Sequence, residues 1–151
     1  MGKLLILAGV LIAGLAFFHP KAHGSVPYPV DNGGLVYQYL NRAADLNYHG
    51  RSYRIDGICL SACTIYLSVK NVCVTRRARI GFHSAFDGKL WDEQRVYRQS
   101  PEGNRDMFNA YPPRLQQWVH RNNALAQRYF KYISGHYAIR YLGFRECSRG
   151  H

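Results

Sequence analysis

Acidic side chains are scarce in this sequence, with 9 Asp and Glu against 20 Lys and Arg, for a formal net charge of +11 over 151 residues. None at all falls between Leu115 and Arg145. A basic excess favours anionic surfaces: lipid headgroups, cell-envelope polymers, acidic proteins. The basic residues are scattered, however, and only Arg76-Arg77-Ala78-Arg79 forms a cluster. The plainer alternative is a solvated basic surface that keeps the protein soluble. Internal repeats and low-complexity tracts are also missing, which leaves a length suited to one domain with a single core. Long apolar runs are missing too. The longest, Leu4 to Phe18, has fifteen residues, short of the about 20 that a bilayer-spanning helix needs. No cysteine follows that run, which argues against a bacterial lipoprotein anchor.

What stands around the run is informative. Met1-Gly2-Lys3 is a short positive start, His19-Pro20 breaks the apolar stretch, and Ala22-His23-Gly24 offers small residues at the positions a signal peptidase reads. This is a secretory layout, with residues 1–24 as signal peptide and 25–151 as the exported domain, expected in the periplasm. The alternative is an uncleaved anchor in the inner membrane through residues 4–18. Cleavage removes Lys3 and Lys21 and no acid, so the basic excess persists. An exported protein rarely meets nucleic acid, and none is expected as a partner.

All four cysteines, Cys59, Cys63, Cys73 and Cys147, fall in the exported part. Their spacing is not that of two zinc knuckles, so no metal is expected, nor any other cofactor. An even count in an oxidising compartment suggests one or two disulfides, with three full pairings open and plain buried thiols as the alternative. Cys73 with Cys147 is the favoured pair, since both should lie away from the Ser61 end.

Pro27 and Pro29 make residues 25–31 an extended lead-in, and Asn32-Gly33-Gly34 a tight turn. A helix is predicted over 35–46, from Val36, Leu40 and Ala43 or Ala44 at 3–4 spacing. Residues 52–59 alternate and are predicted as a strand, and 62–69, apolar at nearly every position, as a buried helix opening just after Ser61. Two short strands follow, 71–75 and 80–83. Strand, helix, strand is the usual sign of a parallel sheet in an α/β domain. Residues 86–103 lose periodicity and are predicted as a long loop of the sort that borders sites. The remainder reads as helical: one helix beginning near Asn104, one starting at Pro113 with Leu115, Trp118 and Val119 as its apolar stripe, and one over 124–133 closed by Gly135. A tail over 141–147 is pinned, if at all, by Cys147.

Ser61 and His83 therefore sit at the carboxyl ends of two successive strands, where a nucleophile and its base are able to meet above one sheet edge. The helix start after Ser61 offers free N–H groups and a positive dipole end. Gly33-Gly34 allows close backbone approach to a ligand. Two N–H groups, from Gly34 and Ala62, would form an oxyanion hole. Each feature has a plainer role as well: a serine there is commonly a helix cap, a lone histidine a satisfied polar group, and Gly-Gly an ordinary turn.

Asn32-Gly33-Gly34, Cys59-Leu60-Ser61-Ala62-Cys63-Thr64 and Ile80-Gly81-Phe82-His83, in that order, resemble the crotonase-like superfamily. The likeness is nearest to the Clp protease proteolytic subunit and its small exported bacterial relatives. The resemblance implies an α/β fold, here a truncated spiral of β-α-β units with a helical C-terminal part. It also implies Ser61 as nucleophile, His83 as base, Gly34 and Ala62 as oxyanion donors, a peptide or acyl substrate, and assembly into homo-oligomers. Two departures stand out. Asn32 replaces the proline of the family's turn, and the strands that open the fold are mostly missing. The family's orienting aspartate has no evident counterpart. After His83 the acids short of the C-terminal segment are Asp87, Asp92, Glu93, Glu102 and Asp106, and Asp106 is the best placed. Lys70, the nearest lysine, lies nine residues along the same helix, about 13 Å at ~1.5 Å per residue, too far for a serine–lysine dyad. Two functions follow as expectations: a serine hydrolase or peptidase, or a catalytically inactive binding module that keeps the fold.

Overall fold

Each of the first three strands pairs with the strand after next. The computed structural model describes residues 29–87 and 98–148. In it β1 (Val30–Asp31), β3 (Ile58–Leu60) and β5 (Arg79–Phe82) run parallel in one sheet, while β2 (Ser52–Ile55) pairs in parallel with β4 (Asn71–Val74) in a second. The chain thus steps from sheet to sheet. The architecture is mixed α/β. Helix α1 (Val36–Tyr48) joins β1 to β2, and a 3₁₀ helix (Ser61–Ser68) joins β3 to β4.

The switch between sheets has a local cause. Residues 52–59, expected as one strand, are broken at Gly57, which takes φ +101°. A β-carbon there would overlap the Pro29 carbonyl. The left-handed backbone turns the chain, so Ile55 ends one sheet and Ile58 begins the other.

A second departure is larger. The helix expected over 124–133 is absent. Turns occupy the first part, and Lys131–Ser134 forms a strand, β8, antiparallel to β5 with Ile80 opposite Ile133 and Gly81 opposite Tyr132. Both isoleucines are buried. Pairing the open edge of β5 satisfies backbone groups that a helix would have left facing nothing, and this tertiary demand outweighs helical spacing. Gly135, expected to close a helix, instead opens α4 (Gly135–Leu142), because a β-carbon there would overlap the Thr75 carbonyl. Only the first two residues of the expected tail, Tyr141 and Leu142, are helical, and the rest is held by Cys147. Residues 86–103 also hold more order than a loop: β6 (Phe86–Asp87) pairs with β7 (Arg98–Gln99), and α2 (Pro101–Ala110) begins just after, with Ser100 capping it. Helix α3 (Pro113–Arg121) starts on its proline as expected.

The core fills the inner face of the larger sheet. Phe82 is fully buried, its ring 5.2 Å from that of Trp118 and 5.9 Å from that of Tyr111. Ile65, Leu67, Met107 and Leu115 complete it. Two disulfides brace it, Cys59–Cys63 and Cys73–Cys147, the second being the favoured pair. Among the described residues no helix is long and apolar enough to cross a membrane. The signal layout in residues 1–24, with its apolar run, lies outside the described residues, as do Asp92 and Glu93.

Candidate functional site

Ser61 is one of two non-glycine residues with a positive φ among the described residues, at +56°. Left-handed backbone costs an L-residue about 1–2 kcal/mol, so something must hold it there. Three contacts do. The Cys59–Cys63 disulfide bridges the two residues placed symmetrically around it. The Thr64 hydroxyl donates to the Ser61 carbonyl at 2.7 Å and is itself 2.6 Å from the buried Tyr111 hydroxyl. Gly33, at φ +81°, presses on the turn from the other side. A β-carbon on Gly33 would stand 2.6 Å from the Leu60 carbonyl oxygen, 2.7 Å from the Ser61 Cβ and 2.8 Å from the Ala62 nitrogen.

This contact brings Gly33-Gly34 and the Ser61 turn together. The Gly34 N–H has no acceptor among the described residues. Ala62 lies in the first turn of the 3₁₀ helix, where N–H groups lack intrahelical acceptors. The two predicted oxyanion donors thus lie on segments that meet at Gly33, and the Gly34 N–H is unengaged among the described residues.

The turn is anchored by a residue that spacing did not single out. Asp31 Oδ1 accepts from the Gly33 N–H at 2.9 Å and from the Tyr39 hydroxyl at 2.6 Å. Tyr39, buried on α1, lies 5.2 Å from the ring of Tyr66 in the 3₁₀ helix, and Tyr53 stacks on Tyr66 at 4.0 Å. Burial, with the Asp31 carboxylate beside it, pushes the Tyr39 phenol well above the usual range, so Tyr39 stays a donor. Burial likewise pushes Tyr53 up to about 12. The signal in sequence was an aspartate two residues before a glycine, the pattern of a side chain that closes its own turn.

His83 follows β5. With Leu60 opposite Gly81, β3 and β5 end side by side, and Ser61 and His83 leave from these neighbouring ends. No hydrogen bond joins the Ser61 hydroxyl to the imidazole. The ring is flanked by Phe130 at 4.5 Å and Phe86 at 5.1 Å. Burial lowers its pKa, and among the described residues no carboxylate contributes to the shift. Its Nδ1 is buried without a hydrogen-bond partner. Asp106 lies on α2 and is only partly exposed, and no hydrogen bond or ion pair links it to His83. Lys70 follows the 3₁₀ helix at the opposite end from Ser61, beside a groove of about 540 Å³ lined in part by Val69, Pro112, Phe144 and Arg145. Among the described residues no group of three or more His, Cys, Asp or Glu is arranged to hold a metal ion.

No protein-family model, curated protein or solved structure matches this chain. The functional reading therefore rests on the site itself.

Proposed function

We propose that this protein is an exported serine hydrolase or peptidase with a Clp-protease-like spiral fold, acting through Ser61 as nucleophile and His83 as base, with Gly34 and Ala62 N–H groups binding the oxyanion. The observation that carries the reading is the left-handed Ser61 at a strand-to-helix turn, clamped by a disulfide on one side and by Gly33 on the other. Strain of this kind persists where surrounding structure over-determines it, and it clusters at active sites. A nucleophile on a sharp strand-to-helix turn presents its hydroxyl above the sheet and beside free N–H groups. Alternation of β1 to β5 between two parallel sheets supports the spiral, shortened at its start because β1 has only two residues. The substrate class is a peptide or acyl bond. Among the described residues β1 is an edge strand with no neighbour on its outer side, which favours a covering partner, with a second copy of the chain the simplest one.

A second reading has its own support. Among the described residues no acid meets the Nδ1 of His83 to orient a catalytic imidazole, and losing that acid costs about 10⁴ in rate in serine proteases. On this reading the chain is a binding module that keeps the scaffold and has lost the chemistry.

A fluorophosphonate probe separates the two. Covalent labelling that disappears in Ser61→Ala, with circular dichroism unchanged, supports the hydrolase. Absence of labelling at every pH where His83 is neutral supports the binding module.

A further inference from the structure

We propose that Asp31 is a positioning residue for the oxyanion hole, an inference that rests on the hydrolase reading above. The Gly33-Gly34 turn has no side chains of its own to fix it, and glycine backbone is the most mobile in the chain once released. What fixes it is one carboxylate oxygen. Asp31 Oδ1 takes the Gly33 N–H at 2.9 Å and the Tyr39 hydroxyl at 2.6 Å. The first bond fixes the Asn32–Gly33 peptide, and with Gly33 packed against Leu60, Ser61 and Ala62 it sets where the next peptide, which carries the unengaged Gly34 N–H, departs.

The second bond ties the carboxylate to α1, and through the Tyr39–Tyr66 ring contact to the helix that Ser61 opens. Turn and nucleophile are thus referenced to one cluster of buried groups. A charge-assisted bond from the tyrosine at this length is among the stronger neutral-donor contacts a protein makes, and the turn it steadies carries the Gly34 N–H that would act where charge develops on the substrate.

A carboxylate that merely closed its own turn would need only the Gly33 bond. The Tyr39 bond draws the same oxygen into the aromatic cluster. That second tie distinguishes positioning from local turn closure.

Labelling by the fluorophosphonate, resolved into the maximal rate and the half-saturating probe concentration, tests this. Asp31→Ala is expected to lower the maximal rate by about 10- to 100-fold, less than the ~10²–10³ lost on deleting an oxyanion donor. The half-saturating concentration should change by less than about threefold, since the donor acts in the transition state. Asp31→Asn keeps an oxygen that accepts from both donors and should recover the rate to within about threefold of wild type. Tyr39→Phe, which leaves Asp31 and the fold in place, should give an intermediate loss and decides the matter if Asp31→Ala does not fold. An unchanged maximal rate in Tyr39→Phe and Asp31→Ala overturns the role of Asp31 alone. Equal losses in Asp31→Ala and Asp31→Asn that track lost thermal stability also overturn it. A wild-type protein that is never labelled overturns the hydrolase reading, and this inference with it.

Discussion

Gly33 sits so close beneath Ser61 that a β-carbon added to it would stand 2.7 Å from the serine Cβ. The contact joins two turns nearly thirty residues apart in sequence. Gly33→Ala therefore meets two penalties: left-handed backbone, about 1–2 kcal/mol, and overlap with backbone atoms that cannot swing away. A stability loss of about 2–4 kcal/mol is expected by denaturant titration. Gly50→Ala, also left-handed but open to solvent, should lose only the first part, about 1–2 kcal/mol. Equal losses at the two positions would show that Gly33 does not bear on Ser61.

The two disulfides should separate stability from reactivity. Chain-entropy arguments assign about 4 kcal/mol to the Cys73–Cys147 bridge, which closes a 74-residue separation, and about 2 kcal/mol to Cys59–Cys63, with a separation of 4. Cys73→Ser with Cys147→Ser is expected to cause the larger fall in denaturation midpoint. Cys59→Ser with Cys63→Ser is expected to cause the larger fall in Ser61 labelling, because it frees the left-handed turn. Thermal melts run beside probe kinetics on both double variants check this. The reverse order would remove the disulfide from the account of the site.

On the hydrolase reading, protonation of His83 sets the pH profile of labelling. Burial holds the imidazole below its ordinary value of 6.5, so the neutral, base-competent form dominates at neutral pH. The labelling rate should rise with pH through a midpoint below 6.5 and then stay flat. His83→Asn should lower the plateau by about 10²–10⁴. A midpoint above 6.5 in the wild-type protein would point to another titrating group.

Asp56 should govern stability in acid. The Arg77 guanidinium, bonded to both carboxylate oxygens at 2.6 and 2.9 Å, and the Thr75 hydroxyl hold its carboxyl down at about 2 against the opposing effect of burial. A depressed carboxyl stabilises fully above its unfolded value of about 4. That contribution falls away as pH drops from there through about 2. Asp56→Asn should flatten this part of the stability curve and cost about 1 kcal/mol at neutral pH, since Arg77 is solvent-screened. Thermal melts between about pH 2 and 6 measure both effects.

The elements that sequence conveyed well are those with local causes. Pro113 opens α3, Val36, Leu40 and Ala43 mark α1, and the apolar run after Ser61 is buried as expected, although it winds as a 3₁₀ helix. The turn at Ser61 was legible because an apolar strand-like run ends there in small residues and a second apolar run begins just after it. What escaped depends on distant partners. Residues 131–134 become a strand because β5 has an open edge, which no local window contains. Gly57 reads as part of a strand until the Pro29 carbonyl is seen against it. Asp31 looks like lead-in until Tyr39, a helix away, reaches its carboxylate.

The long bridge between Cys73 and Cys147 has a consequence during synthesis. A chain made at about 5–20 residues per second produces Cys73 roughly 4–15 s before Cys147 exists. Through that interval Cys59 and Cys63 are its only possible partners within the chain, and each would form a wrong bridge. Cys59 and Cys63, four residues apart, close a shorter loop than Cys63 with Cys73 and meet about fourfold more readily on loop-closure entropy. Early sealing of the short pair therefore protects Cys73 from mispairing, so the staple around Ser61 also acts as a guardian of the oxidation order.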